Sequence, residues 1–216
     1  MMLYLDHIVF SGMDIEKLSE KYANEFQVTT VTGDKHENWG TYNHLAYFAN
    51  HCYIEWLGIK DWQIARMSEN PLIQHVVYML ENEREDAFQF ALRTNRLDDF
   101  VGHFIDTQIS FIGPVEGKRK KPNGELLTWR MLFPKYDFKK ETLPFLIEWN
   151  QTEAERIDSS LVNNGKLTEL YFGGTDIERF TQIYGVRSKK NTANTIALEN
   201  MSIFFSDQSN ITFTKN

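Results

Sequence analysis

Three side chains in this sequence sit where their chemistry is costly. Glu55 lies between Ile54 and Trp56, and Glu148 lies between Ile147 and Trp149. A carboxylate inside an apolar strand is expensive unless it is paired or bound. Both glutamates are therefore expected to face a cleft, where water or a partner is at hand. A metal ion is one solution, and pairing with Arg93, Arg130 or His7 is another. Without a metal, a glutamate of raised pKa in a cleft can serve as a general base. His7 belongs to the run Leu3, Leu5, His7, Val9, which alternates onto one face of a strand. A histidine in such a run is either a core residue with a satisfied hydrogen bond or a ligand or base. Arg93 and Arg130 are strand arginines that either neutralise the two glutamates or grip a substrate carboxylate through two N–H groups. Trp56, Trp129 and Trp149 are candidates for cleft walls.

The rest of the histidine inventory is assigned elsewhere. His36, His51 and His103 fall near loops or on a helix face and are expected at the surface, and His75 sits on a predicted helix. Cys52 is the only cysteine, so no disulfide can form within the chain and a reducing, cytoplasmic setting is expected. It has no evident base nearby for a catalytic thiol. The opening segment, Met1 to His7, lacks a basic stretch and meets a charge early, so no signal peptide is expected. A net charge of -7, from 23 basic against 30 acidic residues, disfavours nucleic acid as the main partner. No apolar run approaches the ~20 residues of a membrane span. There is no Gly-rich phosphate loop, serine nucleophile elbow or zinc-spaced cysteine pair.

The elements that must position the candidate residues repeat. Leu3 to Phe10 reads as a strand, Asp14 caps a helix from Ile15 to Phe26, and Gln27–Thr32, Thr41–Phe48 and Cys52–Leu57 read as three further strands. A second copy begins at Phe88–Leu92. Its helix runs through Phe100, Phe104 and Ile105 behind Asp98 and Asp99, and its strands are Ile109–Ile112, Leu126–Phe133 and Phe145–Trp149. A third, shorter copy has Leu167–Phe172, a helix from Ile177 to Tyr184 behind Asp176, and later strands over Thr195–Phe205 and Ile211–Thr214. Pro71 to Asn82 reads as a helix between the first two copies. Units that cannot bury their own faces must pair, and two four-stranded sheets facing each other form an open barrel around a cleft. The expected organisation is one domain over residues 1–152, with modules at about 1–60 and 86–152 linked by a helix at about 71–82. A partial βα-β-β unit over 153–216 follows it. The basic run Lys118 to Lys121, with Pro122-Asn123-Gly124, reads as a hairpin loop, either solvated or acting as a basic lip for an anionic substrate.

Paired βαβββ modules, with a histidine on the first strand and glutamates in the closing strands, resemble the vicinal oxygen chelate superfamily, and more closely its glyoxalase-like domain proteins. The resemblance rests on Leu5-Asp6-His7-Ile8-Val9-Phe10, Gly40-Thr41-Tyr42-Asn43, Tyr53-Ile54-Glu55-Trp56-Leu57, Ala91-Leu92-Arg93-Thr94, and the Lys121-Pro122-Asn123-Gly124 loop leading to Trp129-Arg130. It implies an α+β fold of paired βαβββ modules forming an open eight-stranded barrel, with a C-terminal partial module. Such modules often pair across chains, which implies a homodimer. In metal-dependent members the ligands come from the first and last strands of each module. Carried over, those positions are His7, Glu55, about Phe90, and Glu148. Phe90 cannot ligate, and Gln89 points to the opposite face of a regular strand. A His-Glu-Glu set suits Mn²⁺, Fe²⁺, Ni²⁺ or Zn²⁺ with positions open for substrate oxygens.

The function implied is that of a small-molecule enzyme acting on a carbonyl or vicinal-oxygen compound. Glu55 and Glu148 are its catalytic candidates, His7, Glu55 and Glu148 its metal candidates, and Asn43, Arg93, Trp129 and Arg130 its substrate-binding candidates. Lyase, isomerase and dioxygenase chemistries all fit such a cleft. One alternative is a resistance-type protein, of the bleomycin-resistance kind, that binds a drug or metabolite without turnover. The other is a metal-free lyase or isomerase with glutamate bases.

Overall fold

The computed structural model describes residues 2–121, 124–186, 194–207 and 210–216. Along the chain run β1 (Tyr4–Ser11), α1 (Ile15–Phe26), β2 (Val31–His36), β3 (Thr41–Phe48), β4 (Cys52–Ile59), α2 (Trp62–Met67) and α3 (Pro71–Glu81). Then follow β5 (Ala87–Arg93), α4 (Leu97–Asp106), β6 (Phe111–Lys120), β7 (Leu126–Pro134), β8 (Phe145–Trp149) and α5 (Glu153–Arg156). The chain closes with β9 (Val162–Asn163), β10 (Leu167–Phe172), α6 (Ile177–Tyr184), β11 (Thr195–Ala197), β12 (Ser202–Phe205) and β13 (Ile211–Lys215). The fold is α+β, an open and strongly curled half-barrel with a second, four-stranded sheet. Among the described residues no helix is long and apolar enough to cross a membrane.

Local chemistry sets the helix ends. The Asp14 carboxylate accepts from Lys17 N at the start of α1, and Asp176 accepts from Arg179 N at the start of α6. Asn70 accepts from Leu72 N ahead of Pro71, which supplies no N–H and so suits the first turn of α3. Gln27 ends α1 in the left-handed region at φ 50°. That cap uses up the residues after Phe26, so β2 begins at Val31 rather than at Gln27.

The main sheet runs β2-β3-β4-β1-β5-β8-β7-β6. In each half the first strand pairs in parallel with the last, β1 with β4 and β5 with β8, and the two halves join through the antiparallel pair β1–β5. The partners His7–Ala91 and Val9–Gln89 exchange under the pseudo-two-fold between the halves, so His7 corresponds to Gln89 and Val9 to Ala91. The short β9 pairs with β3. In the second sheet, of order β11-β12-β10-β13, β10 pairs in parallel with β12 and antiparallel with β13. It thereby repeats the way β1 pairs with β4 and β5.

The sheet has two apolar sides. On the outer side lie α1, α4 and the C-terminal sheet, whose Phe172 meets Phe90 edge-on with ring centres 5.0 Å apart. On the inner side α3 lies across β1, β4 and β5 and fills part of the hollow with Leu72, Ile73, Val76 and Met79. The cleft occupies the space that α3 leaves open.

The expected hairpin loop at Lys118 to Lys121 is mostly strand. Lys118, Arg119 and Lys120 pair with Thr128, Leu127 and Leu126 in the β6–β7 ladder, because β6 runs past the predicted Ile112 end. Only the turn after Lys120 is loop, and its Pro122 and Asn123 lie outside the described residues.

Candidate functional site

Strand alternation brings His7 from β1, Asn43 and Tyr47 from β3, and Tyr53 and Glu55 from β4 to the inner face, where all five line one cleft. The same alternation on the other half contributes Trp129 from β7 and Phe145, Ile147 and Trp149 from β8. The cavity has a volume of about 60 Å³. It shares His36, Trp39 and Trp129 with a wider outer mouth of about 520 Å³, whose rim includes Lys118 and Arg130.

A buried polar chain runs across the cleft. His7 is 3% exposed and Glu55 7%, and His7 Nε2 faces Glu55 Oε2 at 3.4 Å. Glu55 Oε1 accepts from Asn43 Nδ2 at 2.5 Å. Asn43 Oδ1 accepts from Asp34 N at 2.8 Å, and a side chain at Gly33 would overlap that same amide oxygen. Behind His7, Nδ1 meets Asp6 Oδ1 at 2.8 Å. Asp6 Oδ2 accepts from Trp149 Nε1 and from Arg93, each at 3.2 Å. Asp6 is fully buried. Burial alone would raise its pKa. The hydrogen bond and charge of His7, with the charges of Arg156 and Arg93, outweigh burial and hold the carboxyl at about 2. An ionised Asp6 accepts, so Nδ1 of His7 carries the proton and Nε2 is the atom turned to Glu55. Tyr53 stacks on the His7 ring at 4.5 Å, and burial pushes its phenol well above the usual range.

Asp6 comes to lie behind His7 through a β-bulge. Leu5 pairs with Leu92 and His7 with Ala91, so Asp6 is an extra residue with no partner across the ladder. The bulge turns its side chain to the side that His7 occupies. Simple alternation puts Asp6 on the outer face, so sequence reasoning passes over it.

The expected residues separate into two groups. His7, Glu55, Asn43 and Trp129 line the cleft, as do the wall candidate Trp149 and Met131 beside Trp129. Glu148 and Arg93 are not brought to it, and Arg130 reaches only the rim of its outer mouth. Glu148 Oε1 accepts from Leu97 N at 3.2 Å and so caps the start of α4, while Oε2 pairs with Arg130. Arg130 also holds Asp98 at 2.9 Å. Arg93 lies behind Asp6 and donates as well to the His51 carbonyl. Trp56 faces the outer core and is fully buried.

The repeated Ile-Glu-Trp tripeptide misleads because its two copies are out of register. Val9 pairs with Glu55, and its counterpart Ala91 pairs with Phe145. The position matching Glu55 is therefore Phe145. Glu148 stands three residues further on, and an odd step along a strand reverses the face. The position matching His7 is Gln89 rather than Phe90, which packs in the outer core. Gln89 donates to Tyr136 Oη at 2.7 Å and to the Leu143 carbonyl at 3.1 Å.

These placements bear on the expected metal. The four register-matched positions hold His7, Glu55, Gln89 and Phe145, so two are metal donors of the usual kind. Among the described residues no group of three or more His, Cys, Asp or Glu is placed to hold a metal ion. The residues present do not fit a metal held by three protein ligands.

Several polar residues in and behind the cleft escaped the sequence reading. Besides Asp6 there is His36, expected at the surface. It lines the cleft, contacts Thr41 Oγ1 at 3.1 Å and has its pKa lowered by burial. Arg156, from α5, is 8% exposed and lies over the Trp149 ring at 4.5 Å. A basic residue near the end of a short helix gives no sign that it folds back into a cavity. Arg119 also lines the cleft, paired with Asp34.

The glyoxalase-like domain profile matches residues 5–187. A hypothetical protein from Staphylococcus aureus shares the fold over 97% of this chain and 88% of its own, with TM-score 0.79 at 16% identity. Methylmalonyl-CoA epimerase from Mycobacterium tuberculosis matches 71% of this chain and 91% of its own, with TM-score 0.52 at 16% identity. A Streptomyces coelicolor methylmalonyl-CoA epimerase variant in complex with 2-nitronate-propionyl-CoA matches 70% of this chain and all of its own, with TM-score 0.51 at 16% identity. No curated protein matches the sequence.

Proposed function

The chain belongs to the glyoxalase-like domain family of the vicinal oxygen chelate superfamily, and from that premise we propose that it is an enzyme moving a proton on the carbon beside a carbonyl group, with Glu55 as the base. The observation that carries this reading is the buried line Glu55–His7–Asp6. A carboxylate in a closed cleft faces an imidazole whose tautomer is fixed from behind by a second, ionised carboxylate. Glu55 takes the proton from the carbon. His7 Nε2 relays a proton between Glu55 and the substrate oxygen, where charge develops, and Asp6 stabilises the charged imidazolium. Asn43 holds Glu55 in place, and Trp129 and Trp149 wall the substrate. The epimerases that share the fold act by name on a CoA ester and invert a carbon centre, which is chemistry of the same class. Superfamily members often use divalent metals, but the donor set of this cleft does not fit one held by three protein ligands.

A second reading, a binding protein without turnover, is favoured by one observation. Glu55 Oε1 is already held by Asn43 Nδ2, while Oε2 faces His7 Nε2 at 3.4 Å.

One experiment separates the two. Hydrogen exchange into D₂O is followed by NMR for pyruvate, 2-oxobutyrate, methyl pyruvate and methylmalonyl-CoA. Enzyme-dependent exchange that falls about 10²–10⁴-fold in Glu55→Gln, with ligand still bound, supports the base. Binding without exchange in the wild type sinks the enzyme reading and leaves the binding one.

A further inference from the structure

We propose that Arg156 is the carboxylate-binding residue of this cleft, and that the natural ligand is the anion of a small organic acid. The inference rests on the reading above that the cleft is the ligand site, and it names the class of ligand.

Arg156 is placed by a short, well-made device. Thr152 and Glu155 form a capping box at the start of α5, with Thr152 N donating to Glu155 Oε2 at 2.7 Å. The turn so fixed ends on Arg156, which lines the inner cavity together with Tyr47, Tyr53 and Trp149.

The state of its guanidinium is unlike that of the other arginines near the cleft. Arg93 pairs with Asp6, Arg119 with Asp34, and Arg130 with Asp98 and Glu148. Arg156 instead has its cation over the Trp149 indole, and its buried Nε has no hydrogen-bond partner among the described residues. A buried, charged donor left unpaired is costly to a fold. It is retained most economically where a ligand completes it. Asp6, on the other side of Trp149, is already engaged by His7, Trp149 and Arg93.

The geometry of the guanidinium favours a carboxylate. With its cation over the Trp149 ring and its Nε unpartnered among the described residues, the guanidinium keeps the edge carrying Nε for a ligand, and such an edge matches a planar carboxylate through two parallel hydrogen bonds. A single guanidinium with no salt bridge among the described residues suits a monoanion, whereas a phosphate dianion needs further donors. The small cavity, walled by Trp149, Phe145 and Ile147, suits an acid of a few carbons. Gripped at Arg156, such an acid presents its neighbouring carbons within the same cavity as Glu55 and His7.

The test is calorimetric titration with acetate, pyruvate, 2-oxobutyrate, methyl pyruvate and inorganic phosphate, on the wild type, Arg156→Met and Arg156→Lys. The expected result is that a carboxylate binds, that methyl pyruvate binds at least about tenfold more weakly than pyruvate, and that Arg156→Met loses about tenfold or more. Arg156→Lys is expected in between, because lysine keeps the charge without the fork. If Arg156→Met does not fold by circular dichroism, the lysine variant carries the test: weaker pyruvate binding on an intact fold supports the proposal, and unchanged binding overturns it. Equal binding by wild type and Arg156→Met also overturns it, as does the absence of any carboxylate binding. Phosphate bound as tightly as pyruvate, and lost with Arg156, overturns the ligand class. Titration of Glu55→Gln separates this proposal from the previous one. Pyruvate binding that survives there but responds to Arg156, with exchange indifferent to Glu55, removes the base and keeps the subsite.

Discussion

His7 and Asp6 are consecutive residues of one strand, yet their side chains meet on the same side, Nδ1 to Oδ1 at 2.8 Å. The bulge between Leu5 and His7 makes this contact possible, since regular pleating would send the two to opposite faces. The contact sets the imidazole's tautomer and turns Nε2 toward Glu55. The arrangement of the cleft thus begins with a single extra residue in β1.

Asp6 links this site to acid stability. Its folded pKa of about 2 lies below the ordinary aspartate value of 3.8, although burial works in the other direction. The carboxylate therefore contributes stability that is fully present above about pH 4 and is lost as pH falls through about 2. The pH-linked share is about 2 kcal/mol. Asp6→Asn is expected to lose stability at pH 7 by about that amount, and urea titrations should show its deficit shrinking between pH 4 and pH 2. A deficit constant across that range contradicts an ionised, buried Asp6.

Glu148 is expected to act as a helix cap alone. Glu148→Ala removes the acceptor for Leu97 N and the partner of Arg130. The expected cost is about 1 kcal/mol in chemical denaturation. Pyruvate binding and deuterium exchange should stay at wild-type levels. Loss of exchange in a folded Glu148→Ala would show that this glutamate serves the cleft despite facing away from it.

His75 should make the protein sensitive to mild acid. It is buried against Phe88 and Phe138, and burial, then the charge of Arg84, lowers its pKa from 6.5 to about 4. The folded state resists protonation that the unfolded chain accepts. Stability is thus fully retained above pH 6.5 and declines as pH falls from 6.5 to about 4, by about 3 kcal/mol from this group. His75→Phe is expected to flatten the stability profile over that window. An unchanged slope in His75→Phe would place the acid sensitivity in another group.

The order of strands and helices was legible because it is written locally. Alternating apolar runs mark β1, β3, β4, β7 and β8, and Asp14 and Asp176 announce α1 and α6. The recurrence of one unit was legible for the same reason, and with it the paired sheets. His7 and Glu55 stood out because polar groups in apolar strands need a partner, and they prove to be each other's neighbours. Strand ends were less legible. Gln27 takes a left-handed cap that delays β2, and the pairing of β6 with β7 carries the strand into the basic run.

What only the tertiary structure decided depends on pairing between distant segments. The bulge at Asp6 exists in the ladder between β1 and β5, so β1 read by itself cannot reveal it. The three-residue offset that turns Glu148 outward while Glu55 faces in is a matter of register, and a repeated tripeptide says nothing about register. Arg156 and His36 enter the cleft because α5 folds back along Trp149 and because β2 curls against β3. A sequence records which groups need partners; which partners they find is set by the three-dimensional packing of the whole chain.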